Sequence, residues 1–136
     1  MNDKSEYGHI LDYAKKHGLA VVSVGYYHKW CKSINATPFE LLGWIKNANL
    51  VVTDTFHGTV MSIICNTPSV VKLRNNQNKL AFLLSEYGLS NCAVAEFNAL
   101  AQVADVPTDF ATVNERLTER RERSMQYLSN ALAACQ

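Results

Sequence analysis

The sequence predicts an α/β fold with a parallel sheet, on three observations. Short apolar runs, "LAVVSV" (19–24), "LVVT" (50–53) and "SVVKL" (69–73), show no in–out alternation, which suits strands covered on both faces. The segments between and after them carry apolar residues at helical spacing. The two kinds of segment alternate, which implies right-handed βαβ crossovers.

Along the chain, residues 6–17 form the first predicted helix, with Ile10, Leu11 and Ala14 on one face and Gly18 as its C-terminal cap. The first strand follows at 19–24. Residues 25–36, polar and aromatic, read as a loop. Thr37-Pro38-Phe39-Glu40 reads as a helix start: Thr37 caps, Pro38 takes the first helical position and Glu40 completes a capping box. Phe39, Leu42 and Ile45 or Trp44 make its apolar stripe. After the strand at 50–53 comes a helix over 56–65, closed by Asn66 and Pro68, then the strand at 69–73. Residues 78–87 form an amphipathic helix with Leu80, Leu83, Leu84 and Tyr87 inward and Gly88 as cap. A short "CAVA" run precedes helical sequence to the end, the longest helix covering about 109–134, read as a lid across the domain or a bridge to another one.

With 136 residues, 48% hydrophobic and 18% charged, the chain is expected to be one globular domain spanning 1–136 with a real core. A net charge of +1 gives no field to attract nucleic acid. The basic residues of "ERRERS" are interleaved with Glu119 and Glu122, as on a solvated helix face. No apolar run approaches the ~20 residues of a membrane helix, and residues 1–9 lack the apolar core of a signal peptide. Cys31, Cys65, Cys92 and Cys135 form no C-x-x-C pair, so free thiols in a reducing cytoplasm are expected, with no metal and no cofactor.

The chemistry concentrates where "LVVT" runs into Asp54, Thr55, Phe56, His57, Gly58 and Thr59. In open α/β sheets, ligands bind at the carboxyl ends of the strands. A helix start there offers unpaired N–H groups and partial positive charge, which suit a phosphate or carboxylate. Thr55 and Thr59 would add hydroxyl donors, Gly58 would permit close approach, and His57 could donate a hydrogen bond or move a proton. The residue types equally allow a purely structural turn, with Asp54 or Thr55 as N-cap, His57 as a plain first-turn histidine and Gly58 serving helix–sheet packing. His28 and Trp30, in the loop after the first strand, also fall at the ligand edge. There they would either border the pocket or cover the core. Asn76 and Asn78 would line the site or shape a turn. His9 and His17 fall on a surface helix and are expected to face solvent.

The segment "ANLVVTDTFHGTVMSIICNTPSVV" (48–71) resembles the signature of the polysaccharide pyruvyl transferase family. That signature is a hydrophobic strand, Thr-Asp, one variable residue, Phe-His-Gly-Thr, a helix of small apolar residues, Asn-x-Pro and another strand. Upstream "TPFELLGWIKNA" and downstream "NNQNKLAFLLSEYGL" resemble the neighbouring family segments, so the likeness runs over about residues 6–130 and is strongest at 37–90.

The resemblance implies a Rossmann-like parallel sheet flanked by helices, similar to the C-terminal, donor-binding domain of a GT-B fold and lacking its first, central strand. It implies transfer of the pyruvyl group of phosphoenolpyruvate to a sugar of a cell-surface or exopolysaccharide precursor, as a ketal. His57 would be the catalytic acid. Asp54, Thr55, Phe56, Gly58, Thr59, Asn78 and Lys79 would bind the donor, with Lys79 the preferred base and Lys72 and Arg74 the alternatives. The implied partners are phosphoenolpyruvate, a saccharide or lipid-linked saccharide acceptor and an N-terminal domain. This chain alone is expected to be inactive and to self-associate across an open strand edge. Two other readings stay open: a GT-B half that binds a nucleotide-sugar, and a non-catalytic interaction domain of the same fold.

Overall fold

The structure, a computed structural model, describes residue 1, residues 3–74 and residues 78–134. Among the described residues five strands and six α-helices follow one another, mostly in alternation. Strands β1 (Val22–Val24) and β2 (Lys32–Ile34) form one parallel pair. Strands β3 (Val51–Thr53), β4 (Ser69–Lys72) and β5 (Ala93–Val94) form a second parallel sheet in the order β3-β4-β5. The fold is therefore α/β, as its alternating pattern predicts.

One strand is new. β2 lies inside the stretch 25–36 that reads as a loop. Lys32-Ser33-Ile34 carries neither an apolar run nor apolar alternation, and its pairing with β1 is what makes it a strand. β4 sits between β3 and β5 and is buried along its length, with Val70 and Val71 fully so. It divides the core in two. One cluster holds Ile63, Val71, Leu80, Leu84, Leu89, Cys92 and Val113. The other holds Ile10, Val70, Val94, Phe97 and Leu100, with Val21, Leu50, Val52 and Trp30 packed against it.

The helix starts follow their side-chain chemistry. Helix α1 (Lys4–Lys16) is capped by Asp3, whose carboxylate accepts from the Ser5 N–H at 3.0 Å. Helix α2 (Pro38–Lys46) carries the full capping box between Thr37 and Glu40. Its buried stripe differs from the expected one. Ile45 is buried, but Phe39 is 86% exposed and Trp44 is also exposed. Leu41 and Ile45 share a face, and Phe39 lies about 200° around the helix from Leu41. Helix α3 (Phe56–Cys65) ends at Asn66, which takes the left-handed conformation (φ 55°) that terminates helices.

Helix α4 (Asn78–Glu86) turns inward through Leu80 and Leu84, with Leu83 and Tyr87 partly buried. Short 3-10 turns lead through β5 into helix α5 (Leu100–Ala104). Helix α6 (Phe110–Ala134) packs only its first turns, through Phe110 and Val113; residues 118–134 are exposed, so it does not close over the domain as a lid. The Arg116 guanidinium donates to the carbonyls of Ser85 and Glu86 at 3.3 and 3.0 Å. The Ser85 carbonyl also accepts from the Gly88 N–H at 3.1 Å, so the guanidinium adds to the C-terminal cap of α4 and fixes α6 beside it. Among the described residues no helix is long and apolar enough to cross a membrane.

Candidate functional site at the β3–α3 turn

β3 ends at Thr53, and α3 begins three residues later. Between them Thr55 is the N-cap: its hydroxyl accepts from the Gly58 N–H at 3.1 Å. Thr53 supports it. The two threonine hydroxyls lie 3.0 Å apart, and the Thr55 N–H donates to Thr53 Oγ1 at 3.1 Å. Thr59 is fully buried and donates its hydroxyl to the Thr55 carbonyl at 2.9 Å, so that hydroxyl points back along the helix, away from solvent. Ser62 does the same one turn on, donating to the Gly58 carbonyl at 2.8 Å. What the turn presents outward is the exposed His57, the exposed Phe56 set edge-on to it with ring centroids 6.1 Å apart, and the first-turn N–H groups of these two residues, which no intrahelical carbonyl reaches.

Gly58 holds α3 against β3. A Cβ at this position would lie 2.5 Å from Thr53 Oγ1 and 2.9 Å from Thr55 Oγ1. Ala for Gly inside a helix normally gains up to ~1 kcal/mol, but here the methyl group would strike both hydroxyls of the cap. Overpacking of this kind costs ~1–3 kcal/mol and should win. Gly58→Ala is expected to lower stability by about 1–2 kcal/mol in urea unfolding; a stabilised variant would show that the helix does not approach the strand this closely.

Asp54 does not cap α3. It accepts from Arg74 Nε at 2.6 Å and belongs to an ion cluster along the carboxyl edge of β3-β4-β5. Lys72, at the end of β4, is only 5% exposed. Its ammonium lies 2.6 Å from Glu6 Oε1 and 2.8 Å from Glu96 Oε2, and 5.3 Å from the centre of the Phe97 ring. Arg74 also reaches Glu6, at 3.1 Å. Glu6 thus projects from the first turn of α1 between two cations. The Lys72 hydrogen bond above all, with the Arg74 contacts, outweighs the cost of burial and lowers its pKa to about 2. Lys72 is raised by its hydrogen bonds to Glu6 and Glu96, and Arg74 by its hydrogen bond to Asp54 and then by Glu6. Sequence reading missed this cluster, because Glu6 and Lys72 are 66 residues apart and no local pattern pairs them.

The candidate bases therefore separate. Lys72 and Arg74 are held by carboxylates. Lys79, exposed in the first turn of α4, lines a cavity of about 290 Å³ together with Phe56, while Asn78, the first residue of that helix, is exposed. Asn76 and Cys135 lie outside the described residues. His28 and Trp30 join an aromatic row: Trp30 stacks on Tyr7 (5.1 Å) and donates to the Met1 carbonyl, and His28 tilts between Trp30 and Tyr26. Trp30 thereby packs against the core beside α1. His9 is exposed, and His17 stacks on Tyr13 and lies 3.8 Å from Asp105. Among the described residues no group of three or more His, Cys, Asp or Glu is placed to hold a metal ion.

No curated protein and no solved structure gives a significant match to the chain. A family model described as "Polysaccharide pyruvyl transferase" matches residues 1–76, a stretch that takes in β1 to β4, the whole β3–α3 turn, Lys72 and Arg74 and stops short of Asn78 and Lys79. That stretch is more than half of the 136 residues, so the chain belongs to the polysaccharide pyruvyl transferase family.

Proposed function

We propose that this domain binds phosphoenolpyruvate and presents it for transfer of the pyruvyl group to a sugar of a cell-surface or exopolysaccharide precursor. The observation that carries the reading is the exposed imidazole of His57 at the start of α3, beside free backbone N–H groups and inside the stretch that carries family membership. The donor's phosphate and carboxylate are dianion and anion. First-turn N–H groups suit one of them, and Lys79, across the cavity that Phe56 also lines, suits the other. The Lys72–Arg74 cluster suits them less. Carboxylates of Glu6, Glu96 and Asp54 already hold Lys72 and Arg74, and a further anion would have to displace one.

The chemistry follows from the donor. Its methylene carbon takes a proton, and positive charge develops on the neighbouring carbon that carries phosphate and carboxylate. A sugar hydroxyl attacks that carbon and passes its proton to the imidazole that has just given one up, giving a tetrahedral adduct with a new methyl group. A second hydroxyl of the same sugar then displaces inorganic phosphate, which carries off that hydroxyl's proton, and closes the ketal. His57 is the proton source in the first step. Thr55 and Gly58 hold the turn, Phe56 walls the donor side, and Asp54 fixes the edge through Arg74. Phosphoenolpyruvate is the substrate of these steps, which use no separate cofactor.

Binding is the direct test. Phosphoenolpyruvate at ~100 times its Kd should stabilise the fold by ~2.7 kcal/mol, read as a thermal shift, with plain phosphate giving less and nucleotide-sugars giving none. A shift with nucleotide-sugars and none with phosphoenolpyruvate would replace this reading with a glycosyltransferase one. No shift with any of them would favour an interaction domain.

A further inference from the structure

Helix α6 outruns the body that it packs on. Phe110 and Val113 seat its first turns on the core. Residues 118–134 stand exposed beyond them, about 25 Å of helix at 1.5 Å per residue. The face that seats the helix continues along this overhang. At 100° per residue, Phe110, Leu117, Ser124, Leu128 and Ala131 fall within about 60° of one another, and Met125 and Leu132 border them. Met125, Leu128 and Leu132 are 62%, 53% and 69% exposed. Helices draw most of their stability from packing such a face, and here it lies open. At the root of the overhang, α4 and α6 enclose a cavity of about 430 Å³ lined by Tyr87, Leu117, Arg120, Arg121, Ser124 and Met125.

The charges of α6 say what fits. All of them lie between Glu115 and Arg123, and residues 124–134 carry none. An interfacial membrane helix would need lysines or arginines along its polar face, which this half lacks. An acidic partner would meet the arginines and leave the charge-free half unmatched. A second α6 matches both halves, in one orientation. A parallel pair would set Arg121 against its own copy and bring both domain bodies to one end. An antiparallel pair centred between Ser124 and Met125 sets residues 115–123 of each copy beside residues 126–134 of the other, so no like charges meet. Leu132 of one copy then reaches Leu117 and Tyr87 of the other, at the cavity. Leu128 lies on the methylene stem of Arg121, whose guanidinium still reaches water. The same patch serves both copies, as a two-fold interface requires.

We propose that two copies of this chain pair through α6, antiparallel, with Leu128 of each copy over Arg121 of the other. Donor binding plays no part in this pairing.

Sedimentation of the full chain over roughly a hundredfold range of concentration should show monomer and dimer in equilibrium, with dimer favoured at the high end. Leu128→Lys sets a cation against Arg121 of the other copy and should weaken the dimer at least tenfold. Arg121→Glu added to Leu128→Lys turns that repulsion into an attraction and should bring the affinity back to within about threefold of wild type. Recovery identifies the orientation, because a parallel pair would keep the repulsion between the two copies of position 128. Both positions are exposed. In dilute solution, where wild type is also monomeric, both variants should therefore match its stability to within ~0.5 kcal/mol. A chain that stays monomeric at every concentration would mean that a different partner covers α6, and would overturn the proposal. So would a dimer that Leu128→Lys leaves intact, which would place the contact elsewhere, such as at a strand edge. Failure of Arg121→Glu to restore the dimer would overturn it as well.

Discussion

Replacing His57 with alanine should reduce pyruvyl transfer by ~10²–10⁴-fold, the usual contribution of a positioned general acid. The fold should survive, because the imidazole is exposed and meets the edge of the Phe56 ring, itself exposed. A surface substitution of this kind changes stability by less than ~0.5 kcal/mol. The helix start is held by Thr55, Thr53 and Gly58, none of which depends on His57. Donor affinity should fall much less than rate, since backbone N–H groups remain in place. The informative experiment measures single-turnover transfer and phosphoenolpyruvate binding in the same variant. Near-normal turnover removes His57 from the mechanism. Loss of binding together with loss of fold would mean that the ring has a structural duty which the geometry does not show.

The second large effect concerns stability. Glu6→Ala removes the carboxylate that sits between Lys72 and Arg74 and leaves a nearly buried ammonium with Glu96 as its remaining partner. Breaking a buried pair from one side costs ~3–5 kcal/mol, and the exposed Glu96 places this case near the lower end. The lowering of Glu6 from 4.5 to about 2 leads to a similar figure, roughly 3 kcal/mol at 1.36 kcal/mol for each pH unit. The sign follows from proton counting. Between about pH 4.5 and pH 2 the unfolded chain holds a proton on Glu6 and the folded chain does not. Stability therefore rises with pH across that window, is fully present above it, and is lost as pH falls through about 2. The difference between wild type and Glu6→Ala in urea unfolding should be about 3 kcal/mol at pH 7 and should shrink towards nothing as pH approaches 2. A loss that is the same at pH 3 and pH 7 would mean that packing of the Glu6 stem, rather than its charge, ties α1 to the sheet.

How far the sequence could be read depended on the range of the interactions involved. The start of α2 was legible because a capping box lies within four residues. The bounds of α3 were legible because cap, helix and left-handed Asn66 follow in one continuous stretch. β2 was not, since Lys32-Ser33-Ile34 owes its extended form to a neighbour across the sheet. Phe39 was misread because an aromatic residue near a helix start looks apolar wherever its face points. At the site, the turn itself was plain in "TDTFHGT", and the role of each threonine was not. Thr59 reads as an available hydroxyl until the helix phase buries it with that hydroxyl on the Thr55 carbonyl. The bases were harder still. Lys72, Arg74 and Lys79 lie within eight residues of one another in the chain, yet the sheet edge takes the first two and the α4 groove the third. Residue type cannot make that division.

The contact of Gly58 with Thr53 has a consequence for substitution at the neighbouring position. The exit direction of side chain 57 is dictated by how closely one helix rests on one strand, and nothing that the imidazole itself touches is needed to set it. Glutamine or asparagine installed there would leave the backbone along the same line as the native ring. Activity lost in such variants would then measure acid–base chemistry alone, with placement held constant.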